Sequence, residues 1–228
     1  GYVTGAIGKW GLGGWGTVGQ PHHQGFDYFF GYLDQQLAHN HYPTHLWRNS
    51  ERIDLDNEYF YPHQRFEGDD PTDLAEYENW VGNEYSLDVM ADDALSFLEE
   101  HSDEPFFLYL PYTSPHKPVI PMKRFQGQGD AGAYGAFMIE TDYHIGRILK
   151  WLNDRKLSKD TMVIFTSDNG PENTWKKRIE LYEHHSSGIY REGKRSIYEG
   201  GHRVPFLIRW LMGRPAPARA LASSSPRS

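Results

Sequence analysis

There is no cysteine in these 228 residues. That excludes disulfides and thiolate metal sites, but it does not fix a compartment, since a secreted bacterial protein can also lack cysteine. No apolar run is long enough to span a bilayer, so no transmembrane segment is expected. Positive charge is in short supply: the formal net charge is −8, which argues against a nucleic-acid backbone as partner. An opening methionine and a charged-then-apolar leader are also missing from the start, Gly1-Tyr2-Val3-Thr4-Gly5. Any signal peptide is therefore expected upstream of Gly1.

Aromatics, by contrast, are plentiful. Seven Trp, fifteen Tyr and twelve Phe within a 38% hydrophobic composition describe a globular chain able to bury one sizeable core. Thr161 to Thr166 is rich in β-branched and aromatic residues and reads as a strand buried on both faces of a sheet. It runs into Ser167-Asp168-Asn169-Gly170. Asp168 and Asn169 are hard oxygen donors at the strand end where open α/β sheets build their sites, suited to Ca²⁺ or Mg²⁺. The same tetrapeptide also fits an ordinary turn.

Further strands are expected at Gly1 to Trp10, Phe106 to Leu110 and Val204 to Trp210, with Phe106–Leu110, Thr161–Phe165 and Val204–Ile208 lying together. Leu46 to Leu55, centred on Asn49-Ser50, reads as a hairpin. Amphipathic periodicity predicts helices over Glu84–His101 and Ala131–Lys156, the second with Met138, Ile145, Ile148/Leu149 and Leu152 on its apolar stripe. A short helix is expected within Lys176–His185. Asp56 to Asn83 is acidic, bears Pro and aromatics, and reads as a long surface excursion. The strand and helix alternation implies an α/β fold with a mostly parallel sheet.

Three other segments hold candidate site residues. Gly8-Lys9-Trp10-Gly11-Leu12-Gly13 places a lysine at the exit of a strand, where an ammonium can meet a sulfate or phosphate oxygen. Ser114-Pro115-His116-Lys117-Pro118 holds His116 on a proline-stiffened loop after a strand, and imidazole is the group able to move a proton near neutral pH. Gly193-Lys194 leads into Glu199-Gly200-Gly201-His202-Arg203. The cluster His39, His41 and His45 fits no structural zinc spacing and reads as polar loop histidine. Asp142 and His144, inside the second long helix, are read as structural.

Taken in this order, these motifs and Ser-Asp-Asn-Gly closely resemble the sulfatase family, the formylglycine-dependent sulfuric ester hydrolases of the alkaline-phosphatase-like superfamily, from Gly1 to about Trp210. The resemblance implies an alkaline-phosphatase-like fold. It assigns Lys9, His116 and Lys194 to the sulfate, with His116 protonating the leaving oxygen, and Asp168 and Asn169 to a divalent metal, Ca²⁺ or Mg²⁺. It also implies a sulfate ester of a small molecule or carbohydrate as substrate and a periplasmic or secreted location; oligomeric state is left open. Many members carry His where this chain has Gly11, a contact that a nearby His could replace.

The family's nucleophile is a Cys or Ser in Cys/Ser-x-Pro-x-Arg, oxidised to formylglycine, and this chain has no such motif. Ser224-Ser225-Pro226-Arg227-Ser228 echoes it with Arg one place early. The paired upstream Asp residues of the metal shell are missing too. Residues 1–210 are therefore read as a partial catalytic domain lacking its N-terminal part, and 211–228, dominated by Arg, Ala, Pro and Ser, as a disordered or aberrant tail. Two alternatives stay open: a related phosphoester or phosphonate hydrolase of the same superfamily, and a non-catalytic pseudo-enzyme fragment.

Overall fold

The computed structural model describes residues 1–59, 61–63 and 78–211. Most of the expected acidic excursion and nearly all of the tail lie outside the described residues. The described residues form a five-stranded sheet in the order β4-β3-β2-β1-β5. Its strands are β1 (Val3–Lys9), β2 (Tyr28–Tyr32), β3 (His45–Arg48), β4 (Glu51–Asp54) and β5 (Phe106–Tyr109). The central strand β1 pairs parallel with both β2 and β5, whereas β2-β3 and β3-β4 are antiparallel. The α/β class holds, with parallel pairing confined to the middle of a mixed sheet. Asn49, at φ 52°, takes the left-handed conformation at the hairpin tip that its position predicts.

Two expectations are corrected. β6 (Val163–Thr166) and β7 (Phe206–Arg209) pair antiparallel with each other in a separate two-stranded sheet, and do not join β5. Nor are β5 and β6 buried on both faces: Phe107 is 53% exposed and Ile164 53%. A continuous apolar run does not say which of its alternate side chains is covered, because coverage depends on a neighbour remote in sequence.

The covered face of the large sheet follows from strand alternation. Ile7, Phe30, Tyr32 and Leu46 pack against Met90, Ala94 and Phe97 of helix α1 (Ser86–Glu100), whose buried positions recur at three to four residues. The opposite face carries Ala6, Phe29 and Leu33 under Trp10, Phe26 and Trp47. Helix α2 (Gly132–Asp154) buries Ala136, Phe137, Glu140, Thr141, His144 and Leu152. This differs from the expected stripe, and Met138 is 37% exposed. Polar residues hold the inner face because partners there receive them: His144 Nε2 lies 3.1 Å from Asp88 Oδ1, and the Met122 N–H donates to Glu140 Oε2 at 3.1 Å. His144 is thus structural, as expected. Two short helices follow among the described residues, α3 (Trp175–Tyr182) and α4 (Glu199–His202).

Candidate active site

β1 delivers Lys9 to the site, and the residue before it decides how closely the β5 loop can follow. Gly8 has φ +144°, and a Cβ there would sit 2.2 Å from the Pro111 carbonyl oxygen. Only glycine permits that approach, which lets the Lys9 N–H donate to Pro111 O at 2.8 Å. The chain then turns, with the His116 N–H donating to Thr113 O at 2.9 Å. The His116 ring is fixed through Nδ1, 2.6 Å from the Lys117 carbonyl. A carbonyl only accepts, so Nδ1 carries the proton and Nε2 keeps its lone pair.

The loops after β6 and before α4 arrive from the other side and are laced together through their backbones. Lys194 N–H donates to Pro171 O at 2.8 Å, and Gly170 N–H to Gly201 O at 3.0 Å. A Cβ on Gly170 would lie 1.8 Å from Gly200 O, so this crossing also requires glycine. Arg195 pairs with Glu172. Burial alone would raise the Glu172 pKa, but the hydrogen bonds from Arg195 and from the Asn173 N–H outweigh it and bring it down to about 2. The lacing ends with Lys194 Nζ 3.4 Å from His116 Nε2, joining residues 78 apart in sequence.

Burial and repulsion shape the charge of this group. Burial lowers the Lys9 pKa, and the Lys194 ammonium lowers it further, while Asp168 draws it back up. The His116 imidazole is also lowered by burial and by Lys194 and Lys9, against the opposing Lys117 carbonyl bond. Two crowded ammoniums and a neutral imidazole whose free nitrogen faces one of them form a basin of positive potential, favourable to a small tetrahedral anion.

Asp168 is exposed and Asn169 half-buried. The Asn169 backbone carbonyl accepts from the Ser167 hydroxyl at 3.1 Å. Among the described residues the Asp168 carboxylate has no hydrogen bond or ion pair. One carboxylate and one amide oxygen suit a hard cation in kind but fall short of its usual six or more ligands. No group of three His, Cys, Asp or Glu side chains able to hold a metal occurs among the described residues.

One further neighbour comes from the histidine cluster that the sequence reads as polar loop. His39 brings its ring to 4.6 Å from that of His116. A local signal for its placement exists: Asp34 Oδ1 accepts from the N–H groups of Gln36 and Leu37, both at 2.7 Å, an Asx-type start for the 3-10 turn Leu37–His39.

Comparison with known proteins matches a family model described as Sulfatase over residues 1–225. An N-acetylgalactosamine-6-O-sulfatase of Bacteroides thetaiotaomicron is 40% identical over 127 residues, covering 54% of this chain and 25% of that protein. The arylsulfatase of Hemicentrotus pulcherrimus is 29% identical over 219 residues, 92% of this chain and 36% of its own. Among solved structures, a Bacteroides thetaiotaomicron protein described under metabolism of multiple glycosaminoglycans superposes with TM-score 0.70 at 29% identity, over 92% of this chain and 52% of that one. PsFucS1 sulfatase from Pseudoalteromonas sp. does so with TM-score 0.68 at 26% identity, over 92% and 42%. The chain thus spans between a quarter and about half the length of these similar proteins.

Proposed function

Since the chain belongs to the sulfatase family, we propose that it forms the sulfate-binding part of a catalytic domain hydrolysing sulfate esters, with carbohydrate sulfates as the substrate class. The observation that carries this reading is the approach of Lys194 Nζ to 3.4 Å from His116 Nε2, with Lys9 near enough for its charge to act on His116 and to feel that of Lys194. Support for a sugar sulfate comes from one similar protein, named N-acetylgalactosamine-6-O-sulfatase.

In this reading the ammoniums of Lys9 and Lys194 take up charge on the sulfuryl oxygens. Burial, and then repulsion from Lys194 and Lys9, depresses His116; a bound sulfate would offset the repulsive part and favour uptake of a proton from solvent at Nε2. His116 then gives that proton to the ester oxygen as the oxygen leaves. Asp168 and Asn169 supply two oxygens to a divalent cation, Ca²⁺ in preference to Mg²⁺, which would polarise the sulfuryl group. The nucleophile, expected to be a formylglycine, and the remaining metal ligands would come from a part of the catalytic domain outside these 228 residues. Support for a missing part comes from β5 and β6, each paired on one edge only among the described residues and each presenting apolar side chains to solvent.

The test is turnover of p-nitrophenyl sulfate by the protein extended upstream and coexpressed with a formylglycine-generating enzyme. Lys194→Ala and His116→Ala should each lower kcat by roughly 10²- to 10³-fold, the size of a lost charge-stabilising group. Asp168→Ala should weaken Ca²⁺ binding. Faster turnover of phosphate monoesters than of sulfates would overturn the reading, as would full activity without Lys194.

A further inference from the structure

His39, His41 and His45 are neighbours in sequence, yet the fold sends their rings to three different places. His41 is 1% exposed, with Nε2 2.9 Å from the Pro118 carbonyl, and belongs to the core. His45 stands on β3 with its ring 5.9 Å from that of Trp47. His39 ends the Leu37–His39 turn beside the anion site. Its ring meets His116 edge-on, at 4.6 Å and 68°, and its other neighbour is His63, stacked at 4.2 Å and 11°.

We propose that His39, held by the His63 stack, is a substrate-binding residue that accepts a hydrogen bond through Nε2 from a hydroxyl group of the sulfated sugar. This rests on the sulfatase reading above. Its contribution is specificity for the sugar, separate from the binding of sulfate.

The hydrogen-bonding capacity of the ring carries the argument. His39 Nδ1 lies 3.2 Å from the Gln36 carbonyl, which only accepts, so Nδ1 bears the proton and Nε2 is a bare acceptor. Sulfate oxygens are also acceptors only. An acceptor facing them gains nothing, whereas the hydroxyls beside a sugar sulfate are donors. The ring keeps this form, because burial, His116, His63 and Lys9 together hold its pKa near 4 despite the Gln36 bond. The site would then divide its work: cations for the anion, and a neutral acceptor for the neutral part of the substrate. His39 remains half-exposed, so a ligand can reach it.

Binding would be measured by calorimetry on the protein extended upstream, expressed without the formylglycine-generating enzyme so that nothing is turned over. The two probes are inorganic sulfate and N-acetylgalactosamine 6-sulfate. His39→Ala should weaken the sugar sulfate roughly fivefold to tenfold, the scale of one hydrogen bond, and leave inorganic sulfate within about twofold. His39→Gln, which can place an amide oxygen near the former Nε2, should restore most of the sugar affinity. With the active enzyme, kcat/KM should fall for the sugar sulfate and stay level for p-nitrophenyl sulfate. Equal losses on both probes, or none on the sugar, would overturn the proposal. A protein that binds neither probe before substitution would overturn the sulfatase reading itself.

Discussion

At the scale of single residues, the most consequential side chain outside the site is Glu140. It is fully buried on α2, accepts from the Met122 N–H, and lies 3.5 Å from the Tyr85 hydroxyl. Burial, reinforced by the nearby Asp88 charge, raises its pKa from 4.5 to about 8 against the Met122 hydrogen bond. The unfolded chain gives up this proton above the ordinary carboxylate value and the folded one does not, so the folded state binds more protons over the interval between. Stability therefore falls as pH rises from about 4.5 to about 8. Glu140→Gln keeps an oxygen for Met122 and removes the ionisation. The variant should gain stability over the parent at pH 8, on the order of 1 kcal/mol or more, and show little difference at pH 4. Denaturant midpoints at both pH values check this; a difference independent of pH would show that Glu140 is not held protonated.

At the scale of elements, the helices were legible because each carries its own periodicity: Ser86–Glu100 and Gly132–Asp154 fall within two residues of the predicted spans. β1, the hairpin and the positions of β5, β6 and β7 could also be read locally. Strand pairing could not, since the β6-β7 partnership joins Val163 to Arg209 across 46 residues and leaves no local pattern. The buried stripe of α2 was misplaced for a related reason: a polar residue on an inner face is recognisable only once its partner, here Asp88 or Met122, is in place. The site was legible where glycine and proline punctuate strand ends. His39 was not, because a histidine in a polar loop looks the same whether it faces solvent or another ring. Gly170 offers a test at this scale. A Cβ 1.8 Å from Gly200 O cannot be accommodated without parting the two loops, and those loops set the position of Lys194. Gly170→Ala should therefore lower sulfate affinity well beyond the effect of a distant substitution, while the far-ultraviolet circular dichroism stays near that of the parent. Unchanged affinity would show that the crossing does not position Lys194.

At the scale of the whole molecule, the apolar surface is unevenly covered. α1 covers one face of the large sheet, while on the other Phe26 stacks at 6.4 Å on Phe107 and 6.5 Å on Tyr109, leaving these 53% and 48% exposed. In the small sheet Ile164 is 53% exposed, Phe206 63%, Leu207 62% and Ile208 55%. Large side chains stand in water beside strand edges that are paired on one side only among the described residues, a combination that favours association. If the rest of a catalytic domain covers them, the same residue must behave oppositely in two settings. In the 228-residue chain, Ile164→Lys and Phe107→Lys remove exposed apolar area, the second giving up only the Phe26 stack, and light scattering should show less self-association. In the protein extended upstream, either lysine would have to be buried unpaired, at a cost of several kcal/mol, and the melting temperature should drop sharply. Substitutions that are harmless in both settings would mean that these faces remain solvent-exposed in the complete protein and that the missing part of the site is built elsewhere.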